Sequence, residues 1–257
     1  MGAESCIRRR LSLFVDHPMF PRLVLGLIGL LAAGAALADG TASPVVVELF
    51  TSQGCASCPP ADVVLSRLAR RPDVLALSFH VDYWDRLGWK DPFSSQLNTA
   101  RQSAYRVAFH NAQIYTPQMV IAGTAEAVGH DATAVSAAIA DVARRGSRVP
   151  KPTITRARSI IITVQAGDPL TATIWIVAYD PRHETPVGRG ENAGSVLVNT
   201  NVVRKLLALG PYTGRATTLT APTDFARDDE GIAAWIQIDP TGAIVAATNA
   251  PRAGAWI

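Results

Sequence analysis

Apolar residues fall along this chain in short, bounded runs, and their spacing predicts most of its elements. Val45-Val46-Val47-Glu48-Leu49-Phe50 is a β-branched run broken by one carboxylate, and it predicts a buried strand. Pro59 and Pro60 suit the first turn of a helix, where a missing N–H is not needed. That helix is predicted to run to about Arg70, with Val63, Val64, Leu65 and Leu68 as its buried stripe. Arg70-Arg71 complement its C-terminal dipole, and Pro72 stops it. Val74 to Val81 is a near-continuous apolar run, as expected of a parallel strand covered on both faces. Strand, helix and strand in this order make a βαβ unit with a right-handed crossover.

A loop rich in aromatics and charge follows, Asp82 to Phe93. Leu97, Ala100, Ala104, Tyr105 and Ala108 then recur near helical spacing and predict a helix from about Ser94 to His110. Tyr115-Thr116-Pro117 leads into a third strand, Gln118 to Ala122, closed by Gly123. An alanine-rich helix is expected from Asp131, its cap, to Arg145, with Gly146 just past its end. Residues 148–152 read as a linker, and strand patterns dominate beyond them. Ser159–Val164 and Ala172–Ala178 flank Gly167-Asp168-Pro169 as an expected hairpin. Ile232–Ile238 and Ala243–Ala247 flank the turn Asp239–Gly242 as another, while Asn201–Leu209 fits a short helix or a strand equally.

The first 38 residues stand apart. Arg8-Arg9-Arg10 and Arg22 precede an apolar run from Leu23 to Ala38, which ends in Ala36-Leu37-Ala38 before Asp39-Gly40. That is the anatomy of a secretory signal peptide, with cleavage expected after Ala38. An uncleaved anchor is the alternative, but the run is short of the ~20 residues needed to span a bilayer. The expected organisation is a signal peptide at 1–38, an α/β domain at 39–148 and a β-rich domain at 149–257, either a sandwich or a sheet extension. The whole chain carries 24 basic and 21 acidic residues, and residues 39–257 carry 20 and 19, so charge points to no particular partner. No basic cluster is interleaved with aromatics, so nucleic-acid binding is not expected, nor is membrane attachment once the signal is removed. A periplasmic or secreted location is expected.

Of the three cysteines, Cys6 lies in the leader and leaves Cys55-Ala56-Ser57-Cys58 as the only pair. Two thiols three residues apart, at a strand-to-helix junction, are placed for redox chemistry. The positive end of the helix dipole favours a thiolate, and the spacing lets the second sulfur attack a mixed disulfide formed by the first. A local staple is the competing reading, although so small a loop adds little chain-entropy stability.

Residues 45–145 resemble the thioredoxin-like superfamily, through the strand leading into Cys55-Ala56-Ser57-Cys58, the βαβ order, and Tyr115-Thr116-Pro117 before a strand. Glu48 to Asp62, His80-Val81-Asp82-Tyr83-Trp84, Gly88 to Phe93 and Gly190-Glu191-Asn192 resemble, more narrowly, the DUF1223 family of secreted bacterial proteins. The resemblance implies an α/β fold, a thioredoxin-like domain with a C-terminal β-rich domain. It implies that Cys55 attacks and is the more exposed sulfur, and that Cys58 resolves from a more buried position. Pro117 would be cis beside the disulfide, presenting the Thr116 backbone, next to Tyr115, to an incoming extended peptide. Glu48 would lie beneath the resolving cysteine as a proton acceptor; its other reading is a glutamate that reaches solvent or an arginine. This chain departs from thioredoxin in having Ala56-Ser57 between its cysteines, Gly54 before them and Pro59 after them.

His80 and Asp82 end the second strand, where α/β sites gather. They are candidate charge neighbours of Cys55, against the reading of a histidine satisfied by a loop group. Trp84, Trp89 and Phe93 either wall the site or anchor the loop. The leading expectation is an oxidoreductase of protein thiols and disulfides, needing a redox partner and no cofactor beyond the Cys55–Cys58 disulfide. A Cu(I) module using the same two sulfurs with His80 is the second reading, and a non-catalytic binding protein is the third.

Overall fold

The structure, a computed structural model, describes residues 42–250. The expected signal peptide lies outside the described residues. Within them the chain forms a mixed α/β body rich in sheet. Its elements are β1 (Val45–Thr51), α1 (Pro59–Leu68), β2 (Val74–His80), α2 (Gln96–Ala108), β3 (Gln118–Ile121), β4 (Ala125–Val128) and α3 (Ala132–Arg145), then β5 (Thr153–Arg156), β6 (Ile160–Val164), β7 (Ala172–Pro186), β8 (Val196–Tyr212), β9 (Thr217–Thr220), β10 (Gly231–Ile238) and β11 (Ile244–Ala250).

One eight-stranded sheet runs in the order β11-β10-β7-β8-β2-β1-β3-β4. The βαβ unit forms as expected: β1 and β2 pair in parallel from Val45 with Val74 to Thr51 with His80. β3 runs antiparallel to β1, and a strand the sequence had not marked, β4, folds back on it after Gly123. Strands of the C-terminal half extend the same sheet, and β8 meets β2 at the single pair Ser78–Val202. β5, β6 and β9 form a small second sheet, whose Ile160, Ile162 and Val164 pack against Ile174, Ile176, Ile232 and Ile236. The expected β6–β7 hairpin therefore does not exist. Residues 165–171 instead carry the chain from one sheet to the other, so that β6 and β7 pack face to face in one core rather than pairing edge to edge. The β10–β11 hairpin does form, and 201–209 is strand, the middle of β8.

Alternation along β1 separates two buried faces. Val45, Val47 and Leu49 lie under α1 and α3, against Ala61, Leu65, Leu68, Val135 and Ile139. Val46 and Phe50, with Leu75, Leu77 and Phe79 of β2, point to the other face, against Tyr105 of α2 and Trp235 of β10. Burial of each such large side chain contributes about 1.5–3 kcal/mol.

The expected α1 stripe holds at Leu65 and Leu68 but not at Val63, and the expected α2 stripe is rotated. In α1 the buried residues are Ala61, Asp62, Leu65 and Leu68, while Val63 is exposed. In α2 they are Asn98, Arg101, Gln102 and Tyr105, and Leu97 is 65% exposed. The inner side of α2 is polar because its partners are. Arg101 Nε and Nη2 donate to Glu48 Oε1 and Oε2 at 2.5 and 3.1 Å. The Tyr105 hydroxyl donates to Glu48 Oε2 at 2.5 Å, and Arg101 Nη2 also donates to Gln237 Oε1 at 3.1 Å. The guanidinium sits 5.2–5.3 Å from the ring centres of Trp235 and Trp175.

Arg101→Leu strands the Glu48 charge in this apolar face and is expected to cost about 3–5 kcal/mol in urea unfolding at pH 7. The double variant Glu48→Gln/Arg101→Leu should recover at least half of that loss. A single-variant loss below roughly 1 kcal/mol, the value of an exposed pair, would show that this pair does not hold α2 to the sheet.

Candidate functional site

The end of β1, the start of α1, the end of β2 and the tips of β7 and β8 converge on the CxxC segment. Cys55 and Cys58 are joined by a disulfide. Cys58 is the N-cap of α1, and its carbonyl accepts the first helical N–H groups, from Ala61 and Asp62. The Thr116–Pro117 bond is cis, as expected. The Thr116 hydroxyl donates to Cys55 Sγ at 3.3 Å and accepts from Trp84 Nε1 at 2.8 Å. Ser57 Oγ is also 3.3 Å from Cys55 Sγ. Gly129 closes the back of this corner: a Cβ there would come within 3.0 Å of Ala61 and Leu49 and 3.1 Å of Pro117.

Cys55 is not the more exposed cysteine. Both residues are fully buried, although Ala56 and Ser57 between them are exposed. The loop joining β7 to β8 lies against the backbone of this segment. Asn192 Nδ2 donates to the carbonyls of Gln53 and Cys55 at 2.9 and 3.0 Å. Glu191 Oε2 accepts from the Ala56 N–H at 3.0 Å. Gly190 and Gly194 turn this loop with φ of +80° and +83°, and Gly190 sits so close to Trp89 that a Cβ would lie 3.1 Å from the indole's own Cβ.

Beneath the cysteines lies a buried polar cluster. Asp62, four residues after Cys58, shares its face of α1. Its carboxyl accepts from Thr51 Oγ1 at 3.4 Å. Burial drives its pKa up to about 7, against the opposing effects of His80, Thr51 and Asn199. His80, on the α1 side of β2, places Nδ1 2.6 Å from Asp91 Oδ2, while its Nε2 is buried without a hydrogen-bond partner among the described residues. Asp91 also accepts from the amides of Gln53 and Phe93. Burial pushes its carboxyl up, but His80 and these donors outweigh that and hold it below the ordinary carboxylate range.

The other expected site residues divide. Glu48 points to the face opposite α1 and is neutralised there by Arg101, so it does not lie beneath Cys58. The strand pleat places Thr51 and His80, not Glu48, on the cysteine side. Asp82 accepts from the Thr99 hydroxyl at 2.6 Å and ties the loop to α2, not to Cys55. Tyr115 turns its ring to Glu126, and its carbonyl accepts from Gln102 at 2.7 Å. Its hydroxyl pKa is pushed up to about 12 by burial and by Glu126. Trp84 walls the site, Trp89 donates to Gln53 Oε1 at 3.2 Å, and Phe93 packs edge-on against His80. No group of three or more His, Cys, Asp and Glu placed to hold a metal exists among the described residues. Asp62, Asp91 and Asn199 had escaped the sequence reading. An acid four residues after the second cysteine, on its helical face, was the available signal for Asp62.

Comparison with known proteins places the chain in a family before any activity is in view. The protein family described as "Protein of unknown function (DUF1223)" matches residues 46–237. The chain belongs to that family. The crystal structure of protein AGR_C_4864 from Agrobacterium tumefaciens is similar, with 30% identity and a TM-score of 0.75, over 84% of this chain and 98% of that one. A second similar structure, HBP35 of Porphyromonas gingivalis, has 14% identity and a TM-score of 0.49, over 82% and 76% of the two chains. No curated protein matches.

The Asp62 carboxyl makes stability pH-dependent with a definite sign. Folded, it keeps its proton to about pH 7; its ordinary value is 3.8. The native state thus binds the extra proton between these values, and stability falls as pH rises from about 4 to 7. Urea unfolding free energies of wild type and Asp62→Asn, compared from pH 4 to 8, are expected to diverge by up to about 4 kcal/mol, with the wild type losing ground as pH rises toward the folded pKa. Parallel curves would mean that Asp62 is ionised throughout.

Proposed function

We propose that this protein is a thioredoxin-like thiol–disulfide oxidoreductase that acts on protein disulfides outside the cytoplasm. The observation that carries this reading is the Cys55–Cys58 disulfide at the N-terminus of α1, touched by Thr116, with the buried Asp62 carboxyl, whose pKa lies near neutrality, one helical turn after Cys58. In the reducing direction the Cys55 thiolate attacks a substrate disulfide, and one substrate sulfur leaves as a thiolate. Asp62 takes the Cys58 proton. The Cys58 thiolate then attacks Cys55 Sγ, closing the Cys55–Cys58 bond and releasing the second substrate sulfur. In the oxidising direction the same bonds form and break in reverse, and Asp62 returns the proton to Cys58. A carboxyl with a pKa near 7 suits both directions. The leader with its Ala36-Leu37-Ala38 pattern supports the location, where disulfide chemistry persists.

One observation favours a competing reading. Full burial of both cysteines suits a binding protein whose disulfide is structural.

An insulin-reduction assay and a glutathione redox titration of residues 39–257 separate the two. Turnover should vanish in Cys55→Ser, and Cys58→Ser should accumulate mixed disulfides. Asp62→Asn should slow resolution roughly 10²-fold near pH 7 and less at pH 9, where the thiol ionises unaided. Retained turnover in Cys55→Ser, or no turnover in the wild type, would overturn the enzymatic reading.

A further inference from the structure

We propose that the β7–β8 loop, residues 187–195, is a redox-sensitive latch that is shut over the disulfide and released when Cys55 becomes a thiolate. The inference rests on the proposed redox chemistry and concerns how the buried sulfurs are reached.

The shut state is made by few contacts. Glu191 Oε2 accepts the N–H of Ala56, the residue joined directly to Cys55. Asn192 Nδ2 bridges the carbonyls of Gln53 and Cys55. Glu191 and Arg189 are exposed, and the loop's own backbone bonds, from Val187 N to Ser195 O and from Gly194 N to Val187 O, lie within the tip. With Val187 buried at its base, the tip can swing about the ends of β7 and β8 once its contacts to the CxxC segment, Leu87 and Trp89 are broken.

Charge makes the latch depend on redox state. In the disulfide neither sulfur is charged, and the amide beside Cys55 at the positive end of α1 is satisfied by the Glu191 carboxylate. Reduction by two thiols breaks the Cys55–Cys58 bond, forms one disulfide between the reductants, and leaves Cys58 as a thiol and Cys55 as a thiolate with its proton released to solvent. Two anions, the thiolate and the Glu191 carboxylate bonded to the next residue's N–H, then sit at one helix terminus and repel each other. Glu191 is expelled, Asn192 follows, and Cys55 is uncovered. The coupling is reciprocal: the carboxylate that a thiolate expels also disfavours that thiolate while it stays in place.

Trypsin cleavage at Arg189, followed by mass spectrometry of the intact chain, reads the loop directly. The bond after Arg189 should be cut at least tenfold faster in the dithiothreitol-reduced protein than in the oxidised one. In Glu191→Gln, which keeps a hydrogen-bond acceptor without the charge, that ratio should fall below about threefold. In Cys55→Ser, which cannot form the thiolate, added dithiothreitol should leave the rate unchanged. Free-thiol titration of the same samples separates the failures. Two reducible thiols with equal cleavage in both redox states would overturn the latch and leave the oxidoreductase reading standing. A ratio unaltered by Glu191→Gln would also overturn the latch. A chain from which dithiothreitol releases no thiols would overturn both.

Discussion

Gln53 is held at every polar atom it has, and the site depends on that restraint. Its backbone N–H donates to Asp91 Oδ2, and its carbonyl accepts from Asn192. Its side-chain nitrogen donates to Thr185 Oγ1 and Asn199 Oδ1, both at 2.9 Å, and its side-chain oxygen accepts from Trp89. One residue, two positions before Cys55, thus joins the CxxC segment to the 82–93 loop and to the ends of both long strands of the C-terminal half. A buried amide is costly unless fully paired, so these partners fix one another. If Thr185 and Asn199 moved away, the loop carrying the cysteines would lose its geometry.

That connection explains why β7 and β8 are so long. At 15 and 17 residues they exceed the usual strand of about 5–6 residues. Their outer halves carry Thr185, Asn199 and the covering loop to the cysteine end of the sheet. The C-terminal half is therefore part of the site as well as an extension of the fold.

The backbone order through residue 145 was legible because strands with β-branched runs, the proline-opened helix and the Asp131 cap are local signals. What failed was orientation. Apolar spacing placed Leu97, Ala104 and Tyr105 inside α2; Tyr105 is inside, yet the helix turns Leu97 out and Arg101 in, because Glu48 waits on β1 and Gln237 on β10, partners 53 and 136 residues away from Arg101. Periodicity counts apolar residues and is blind to a polar face satisfied by distant polar groups. The same blindness hid Asp62: an acid in the buried stripe of α1 reads as an exposed first-turn residue until His80 and Asn199 are seen around it. The CxxC pair and Pro117 were legible because their chemistry is carried by adjacent residues. The Glu191–Asn192 cover was present only as a motif, since its target lies more than 130 residues earlier.

Two buried carboxylates on opposite faces of one sheet show how a fold allots roles. Glu48 meets a guanidinium in bidentate contact and a tyrosine hydroxyl, and its charge is fully compensated. Such a group holds elements together. Asp62 has a threonine, an asparagine and the neighbourhood of a histidine whose near nitrogen is already engaged by Asp91. With no cation bonded to it, burial decides, and its proton is released only near neutrality. The strand pleat sets this division, since Glu48 and Thr51 are an odd number of residues apart and must face opposite ways. Moving the carboxylate by one position along β1 would exchange a structural ion pair for an unpaired carboxyl among the apolar side chains under α1. The sequence resemblance marked the strand carboxylate for chemistry; the pleat turns that carboxylate to the face opposite α1, and the buried carboxyl on the α1 side is that of Asp62.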